Sequence, residues 1–212
     1  MIREEFRGEQ WKFPFVLYRP AEMKENLPMV VQLHGADEVG RGEEDLCKVD
    51  VVGFPHLLTE QADYPCIFVL PQCSVDSFWV AEISNLYCFI QMVMQEFHVD
   101  ESRVYLTGIS MGGYGTWYTA LRHPKLFAAI APVCGGGMVW RAYVLDMSIW
   151  AFHGIEDGVV YPTESIQMIH KVRMSDTNKQ EVKLTLLDGV GHNAHDYAYT
   201  QDLLDWLLSK SR

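Results

Sequence analysis

Residues 103–117 read RVYLTGISMGGYGTW, and this stretch decides how the rest of the chain is interpreted. Its first half is apolar and rich in β-formers, as is typical of a buried strand, and its second half has the pattern of a helix. Between the two halves, Gly108 and Gly112 flank Ser110 at a distance of two residues on each side. A serine at such a corner is either a helix N-cap or a nucleophile on a sharp strand-to-helix turn.

Strand-like and helical segments alternate along the whole chain. This alternation predicts βαβ units and therefore an α/β fold with a mostly parallel central sheet and helices on both faces. We expect one domain over residues 1–212, with the first strand on an antiparallel edge. The predicted strands are 13–19, 29–34, 66–70, 104–107, 128–132, 149–152 and 182–187, and the predicted helices are 77–98, 111–122, 164–173 and 196–209.

Composition excludes several classes of protein. A chain of 212 residues with 49% hydrophobic residues is long and apolar enough to bury a core. Its formal charge of -11, without a basic patch, argues against a nucleic-acid partner. It contains no apolar run near the ~20 residues that cross a bilayer, and its charged N-terminus does not resemble a signal peptide. The five scattered cysteines show no zinc-binding spacing and favour reduced thiols in the cytoplasm.

A nucleophilic serine needs a base, and the chain offers eight histidines. His192 is the favoured base because it lies in a short Gly-rich loop after the last predicted strand, at the sheet edge where Ser110 is expected. His195, three residues later, remains an alternative. His34 and His153 belong to His-Gly pairs at strand ends, where a histidine more often braces the turn.

The base in turn needs a carboxylate that orients it. Asp157 follows a predicted strand in the segment FHGIEDGVV, which makes it the preferred acid, although Asp-Gly is also a common turn dipeptide. Glu156 and Asp188 are the alternatives. The chain order Ser110, Asp157, His192 is the order expected of this architecture.

Acyl transfer also needs donors for the negative charge that develops on the substrate oxygen. The backbone N–H of Met111, directly after the serine, is one expected donor of this oxyanion hole. The N–H of Ala36 is the other, because it follows the His-Gly pair after an earlier central strand and its small neighbours allow a close approach.

Aromatic residues near these motifs are candidates for the substrate pocket. We expect Trp79 and Trp140 to line its wall and Tyr114 to contribute, whereas Trp117 is expected in the core. The connection between the predicted strands 128–132 and 149–152 is too short for a helical lid. An open site with a preference for short or small acyl esters, and without interfacial activation, follows from that shortness.

Taken together, the segments HGADEVGRG, PQC, GISMGGYGTW, FAAIAPVCGGG, FHGIEDGVV and GVGHNAHD resemble the α/β-hydrolase superfamily over roughly residues 28–208. Within it, the chain is most similar to compact carboxylesterases, also labelled predicted peptidases or phospholipase/carboxylesterase-like proteins, near the feruloyl and acetyl-xylan esterases. One departure is His195, where relatives often carry an aromatic residue, and it bears on the shape of the pocket rim.

The resemblance implies a serine carboxylesterase in which Ser110, Asp157 and His192 form the triad and Ala36 and Met111 form the oxyanion hole. It implies no metal or organic cofactor. The expected partner is a small-molecule ester, with neither nucleic acid nor membrane, and assembly into a homo-oligomer stays open. An acyl-thioesterase or serine peptidase with the same triad is the first alternative, and a non-catalytic binding protein of the same fold is the second.

Overall fold

The apolar runs form one eight-stranded sheet in the computed structural model, which describes residues 1–8, 10–59 and 61–212. The spatial order of the strands is β1-β2-β4-β3-β5-β6-β7-β8. β1 and β2 pair antiparallel at one edge, and β2 also runs antiparallel to β4, whereas all other pairs are parallel. The strands are β1 Ile2–Phe6, β2 Phe15–Arg19, β3 Met29–Leu33, β4 Ile67–Pro71, β5 Val104–Ile109, β6 Ala129–Val133, β7 Ser148–Gly154 and β8 Val182–Leu187.

Helices cover both faces of this sheet, as the continuous apolar strands require. The helices are α1 Ile83–Glu96, α2 Met111–Arg122, α3 Thr163–Arg173, α4 His195–Ala198 and α5 Gln201–Leu208. Side chains of α1, α2 and α3 share one core cluster with one face of the sheet, and those of α5 share the other cluster with the opposite face. The predicted fold class is thereby confirmed: every residue of β3, β4, β5 and β6 is buried.

Three elements differ from the prediction, each for a local reason. β1 was not predicted, because its residues IREEF are mostly charged; it is an edge strand held by pairing with β2 and by ion pairs such as Arg19–Glu4. The helix expected over 77–98 begins only at Ile83, after a series of hydrogen-bonded turns. The helix expected over 196–209 is divided in two at Thr200, whose side chain accepts a hydrogen bond from the N–H of Leu203 and caps α5.

The strand order creates the crevice where a site can form. β3 pairs with β4 on one side and with β5 on the other, so the loops that leave β3 and β5 diverge from adjacent strand ends. Ligands of open α/β sheets bind at such a switch point, beyond the carboxyl ends of the strands. Among the described residues, the helices are all too short or too polar to cross a bilayer.

Candidate active site

Ser110 lies on a strained turn between β5 and α2, with φ 54° and ψ -115°. The turn is tight enough to exclude side chains: a Cβ on Gly108 would lie 2.5 Å from the carbonyl oxygen of Gly112, and one on Gly112 would lie 2.2 Å from that of Leu33. Glycine at both positions therefore lets α2 fold back across β3 and β5. A non-glycine residue with positive φ costs about 1–3 kcal/mol, which is typical of functional turns.

The structure brings Ser110, His192 and Asp157 together in one chain of hydrogen bonds. His192 Nε2 lies 2.8 Å from Ser110 Oγ, and His192 Nδ1 lies 2.7 Å from Asp157 Oδ2. A carboxylate only accepts hydrogen bonds, so Nδ1 carries the imidazole proton and Nε2 is free to accept the serine proton. The hydroxyl of Ser110, which could have capped α2, is directed at the base instead.

The carboxylate of Asp157 is buried and fully engaged. Its Oδ1 accepts hydrogen bonds from the backbone N–H groups of Val159 and Val160, both at 2.9 Å, while Oδ2 faces the imidazole of His192. Burial opposes the charge, but the hydrogen bonds from His192, Val160 and Val159 outweigh it and hold the pKa of Asp157 below its usual value. Asp157 is therefore ionised at neutral pH and able to stabilise a protonated imidazole.

The loops that carry the acid and the base pack directly on each other. The N–H of Glu156 donates to the carbonyl of Val190 at 3.0 Å. A Cβ on Gly154 would lie 2.2 Å from the carbonyl oxygen of Gly191, so only glycine allows this contact. The end of β7 therefore packs closely against the loop that carries His192.

The residues left as alternatives for the acid and the base lie in environments that differ from those of Asp157 and His192. Glu156 is exposed and its backbone makes the loop contact just described. Asp188 is also exposed, directly after β8. His195 begins α4, with Nε2 3.3 Å from Asp196 Oδ1 and with Nδ1 buried without a hydrogen-bond partner; burial lowers its pKa, aided by nearby His192.

The backbone groups expected to bind an oxyanion belong to Met111, directly after Ser110, and to Ala36, whose neighbour Gly35 lies beside Ser110: a Cβ on Gly35 would be 3.9 Å from Ser110 Cβ. Met111 is the first residue of α2, where N–H groups have no partner within the helix. On the other side, His34 Nδ1 lies 2.6 Å from the carbonyl oxygen of Gly35, while His34 Nε2 accepts from the N–H of Cys73 at 2.9 Å. Nδ1 is thus the protonated nitrogen, in agreement with burial lowering the pKa of His34 to about 4.

This histidine orients the Ala36 N–H. In a trans peptide the C=O and N–H of one plane point in opposite directions. Because the Gly35 carbonyl points at the buried His34 ring, the N–H of Ala36 points away from that ring. The carbonyl of His34 itself accepts a hydrogen bond from Trp79 Nε1 at 3.0 Å. This bond connects the loop after β3 to the buried core.

The aromatic residues expected in a pocket differ from one another in their burial. The expectation for Trp79 is wrong. Its side chain is fully buried in the core, where its Nε1–H donates a hydrogen bond to the carbonyl of His34. Trp140 is 71% exposed on a short 3-10 helix after β6. Tyr114 is half-buried near the triad, and burial together with the carboxylates of Glu164 and Asp157 raises its pKa.

Two further residues at the site were not assigned a catalytic role from the sequence. Cys134, directly after β6, has φ 47° and a fully buried thiol, whose Sγ lies 3.9 Å from the carbonyl oxygen of His192. Ligand atoms of Cys134, Asp157 and His192 lie within 4.8 Å of one another. However, the Asp157 oxygen and the His192 nitrogen are only 2.7 Å apart, closer than the roughly 3.3 Å between ligands of one tetrahedral zinc ion. The set fits hydrogen bonding better than metal ligation. The signal for Cys134 in the sequence is its place two residues after a predicted strand, 128–132.

The second such residue is His153, the next-to-last residue of β7. Its side chain is fully buried and lies beside Asp157, with its Nε2 3.4 Å from Asp157 Oδ2. The His-Gly pair at a strand end was the only sequence signal for it.

Comparisons with known proteins agree with this architecture. Residues 80–152 match the model of the prolyl oligopeptidase family. The chain is 29% identical over 154 residues to a bifunctional acetylxylan esterase/xylanase of Neocallimastix patriciarum, covering 68% of this chain and 21% of that protein. A thermostable esterase of known structure superposes with a TM-score of 0.79 at 28% identity, over 100% of this chain and 63% of the esterase.

A feruloyl esterase module of Clostridium thermocellum, in complex with sinapinate, has the same fold: the TM-score is 0.74 at 16% identity, over 99% of this chain and 88% of that module. The chain thus spans about a fifth of the curated relative and less than two thirds of the thermostable esterase. On sheet topology and these matches together, the chain has the α/β-hydrolase fold and is similar to esterases of that fold.

Proposed function

We propose that this protein is a serine carboxylesterase that hydrolyses small acyl esters through an acyl-enzyme intermediate. One observation carries the proposal: the unbroken line from Ser110 Oγ through His192 to Asp157, with contacts of 2.8 and 2.7 Å. Nucleophile, base and orienting carboxylate are then all in hydrogen-bonding range before any substrate binds.

The first half of the reaction forms the acyl-enzyme. Ser110 Oγ attacks the ester carbonyl carbon while His192 Nε2 takes the hydroxyl proton, and the carbonyl electron pair moves onto oxygen. The N–H groups of Met111 and Ala36 stabilise that oxyanion, and Asp157 stabilises the imidazolium. When the carbonyl re-forms, the alcohol leaves with the proton from His192. In the second half water replaces the serine as nucleophile and the same steps release the acid.

The substrate class follows from the open surroundings of the triad. The connection between β6 and β7 contains only a short 3-10 helix, Val139–Val144, and the His192 side chain is 28% exposed. A small acyl group, such as the acetyl or feruloyl groups named for the relatives, fits such a site. We expect p-nitrophenyl acetate and butyrate to be hydrolysed faster than emulsified palmitate, because the connection between β6 and β7 is too short to form a lid that would open at an interface. Faster turnover of palmitate would contradict this substrate class.

The decisive test uses an active-site probe. A fluorophosphonate should label one residue, Ser110, and Ser110→Ala should abolish labelling and lower kcat for acetyl, butyryl and feruloyl esters by about 10⁴-fold or more. Ser84→Ala, at an exposed serine on α1, is the matched control and should keep full activity. Ester hydrolysis that survives in Ser110→Ala would place the nucleophile elsewhere.

A peptidase is the second candidate, because the matching family model is that of the prolyl oligopeptidases. That match includes Ser110 but ends before Asp157 and His192. Comparing one acyl group as oxygen ester, thioester and anilide separates the candidates: we expect kcat/KM to be highest for the oxygen ester and lowest for the anilide.

The same proposal includes the cellular location, the cofactor requirement and the domain organisation of the enzyme. The five cysteines are all free thiols, which supports a reducing, cytoplasmic location. The residues of the triad supply nucleophile, base and acid themselves, so the proposed reaction uses no metal or organic cofactor. We propose that residues 1–212 act as one domain on a small-molecule ester.

A further inference from the structure

The next-to-last residue of β7 is a histidine that the proposed mechanism does not use. His153 is completely buried and lies four residues before Asp157. Its Nε2 is 3.4 Å from Asp157 Oδ2, the same oxygen that receives the hydrogen bond from His192 Nδ1 at 2.7 Å. The carboxylate oxygen that orients the base therefore lies between two imidazole rings.

The proton on His153 can be assigned from its neighbours. Nε2 lies 2.9 Å from the carbonyl oxygen of Val160, which only accepts, so Nε2 carries a hydrogen. Nδ1 lies 2.8 Å from Ser165 Oγ on α3. Burial lowers the pKa of His153 despite the acceptors beside it, so the ring is neutral at neutral pH and its one proton lies on Nε2. The Ser165 hydroxyl, which also lies 2.8 Å from the carbonyl oxygen of Gly135, then has two acceptors, that carbonyl and His153 Nδ1. A neutral ring leaves the charge of Asp157 available to His192.

These contacts hold the Asp157 loop from its buried side. Val160 donates its N–H to Asp157 Oδ1 at 2.9 Å and accepts from His153 with its carbonyl, so the ring holds the residue whose N–H in turn holds the carboxylate. The outer side of this loop is open to solvent, with Val159 72% and Tyr161 67% exposed. The hydrogen bonds that Val160 makes with His153 and Asp157 are thus what keeps this segment in place.

We propose that His153 is a positioning residue that holds Asp157 in line with His192 through its Nε2–H. This inference rests on the esterase function proposed above. It assigns to the His-Gly pair of β7 a role in catalysis that goes beyond bracing a turn.

Two substitutions of His153 distinguish the contribution of Nε2 from that of Nδ1. In His153→Gln the side-chain amide can reach the position of Nε2, whereas in His153→Asn it reaches only the position of Nδ1. We expect His153→Asn to lower kcat by about 10²-fold, because a displacement near 1 Å of a catalytic group has that effect. KM should stay within about twofold of its wild-type value, since His153 does not touch the substrate. His153→Gln should recover kcat to within about fivefold of the wild type.

A stability control is needed because His153 is buried. Tyr105→Phe removes a hydrogen bond from the Tyr105 hydroxyl to the carbonyl of Lys210, at the other end of β5, and should lower the melting temperature while leaving kcat unchanged. If His153→Gln and His153→Asn lose kcat equally, or only in proportion to their losses in melting temperature, the positioning role is refuted.

A measurement on the wild-type protein covers the case in which the variants do not fold. Imidazole ¹H–¹⁵N spectra should show His153 protonated on Nε2 only, and a downfield Nδ1–H resonance of His192 bonded to Asp157. A His153 ring protonated on Nδ1 alone would overturn the assignment. These spectra need no turnover. A failure of the esterase proposal would instead appear as wild-type protein without ester hydrolysis or a fluorophosphonate adduct.

Discussion

Gly154→Ala tests whether the packing of two loops sets the geometry of the triad. An ideal Cβ at Gly154 would lie 2.2 Å from the carbonyl oxygen of Gly191 and 2.3 Å from that of Val190. Both oxygens belong to the backbone of the loop that carries His192, so a rotamer change cannot relieve the contacts. To restore an ordinary carbon–oxygen contact the loop has to move by roughly 1 Å, which also stretches the hydrogen bond from Glu156 to Val190.

The expected consequence is a loss of rate with the fold retained. A shift near 1 Å of a catalytic group costs about 10²-fold in rate, or about 2.7 kcal/mol of activation free energy. We therefore expect kcat for p-nitrophenyl acetate and the rate of fluorophosphonate labelling to fall together by about 10²-fold in Gly154→Ala. Circular dichroism and the melting temperature monitor the fold.

The control lies in the same loop. A Cβ added at Gly158 would have no neighbour within 4 Å, so Gly158→Ala should retain wild-type kcat although it is adjacent to Asp157. If folded Gly154→Ala keeps kcat within threefold of the wild type, the loop contact does not set the position of His192, and the reasoning is wrong.

Two other predictions concern the acid and the oxyanion loop. Because the pKa of Asp157 is lower in the folded state than in the unfolded chain, its ionisation stabilises the fold above the unfolded pKa of about 3.9, and this contribution is lost as pH falls through the folded pKa. The melting temperature of Asp157→Asn should therefore lie furthest below that of the wild type at pH 7, and the gap should narrow below about pH 4; a gap that is constant with pH would contradict the assignment. Trp79→Phe removes the hydrogen bond to the His34 carbonyl and some buried volume, so urea denaturation should show a loss of about 1–3 kcal/mol with a severalfold lower kcat, whereas an unchanged stability would show that this bond does not support the loop.

Much of the fold could be predicted because burial on both faces leaves a continuous apolar run in the sequence. Strand β8 and helix α2 have the predicted bounds, and the other predicted strands differ by a few residues at their ends. β1 escaped prediction because an edge strand is stabilised by its neighbour and by ion pairs rather than by its own apolar pattern. The break at Thr200 also could not be predicted, since a single cap there competes with an otherwise continuous helical pattern.

The candidate site, like the fold, could be predicted from the sequence only in part. Ser110, Asp157 and His192 could be selected from the sequence because each follows a strand, and parallel strands present their carboxyl ends at one edge. Trp79 could not be placed, because a tryptophan after a strand end has the same local pattern whether it lines a pocket or supports the loop beneath His34. The order of residues in the sequence also does not show that Cys134 and His153 both lie near the carboxylate of Asp157, since they are 23 and four residues from it.

What the sequence determined by itself was the set of chemical groups and the order in which strands deliver them, because strand periodicity, glycine spacing and motif order are properties of local segments. Only the tertiary structure decided distance and environment: the 2.8 and 2.7 Å contacts of the triad, the direction of the Ala36 N–H, and the lowered pKa of Asp157. Those quantities depend on atoms from β3, β5, β7 and the loop after β8 packing against each other, and the separation of such atoms in space is not encoded in any one stretch of the chain.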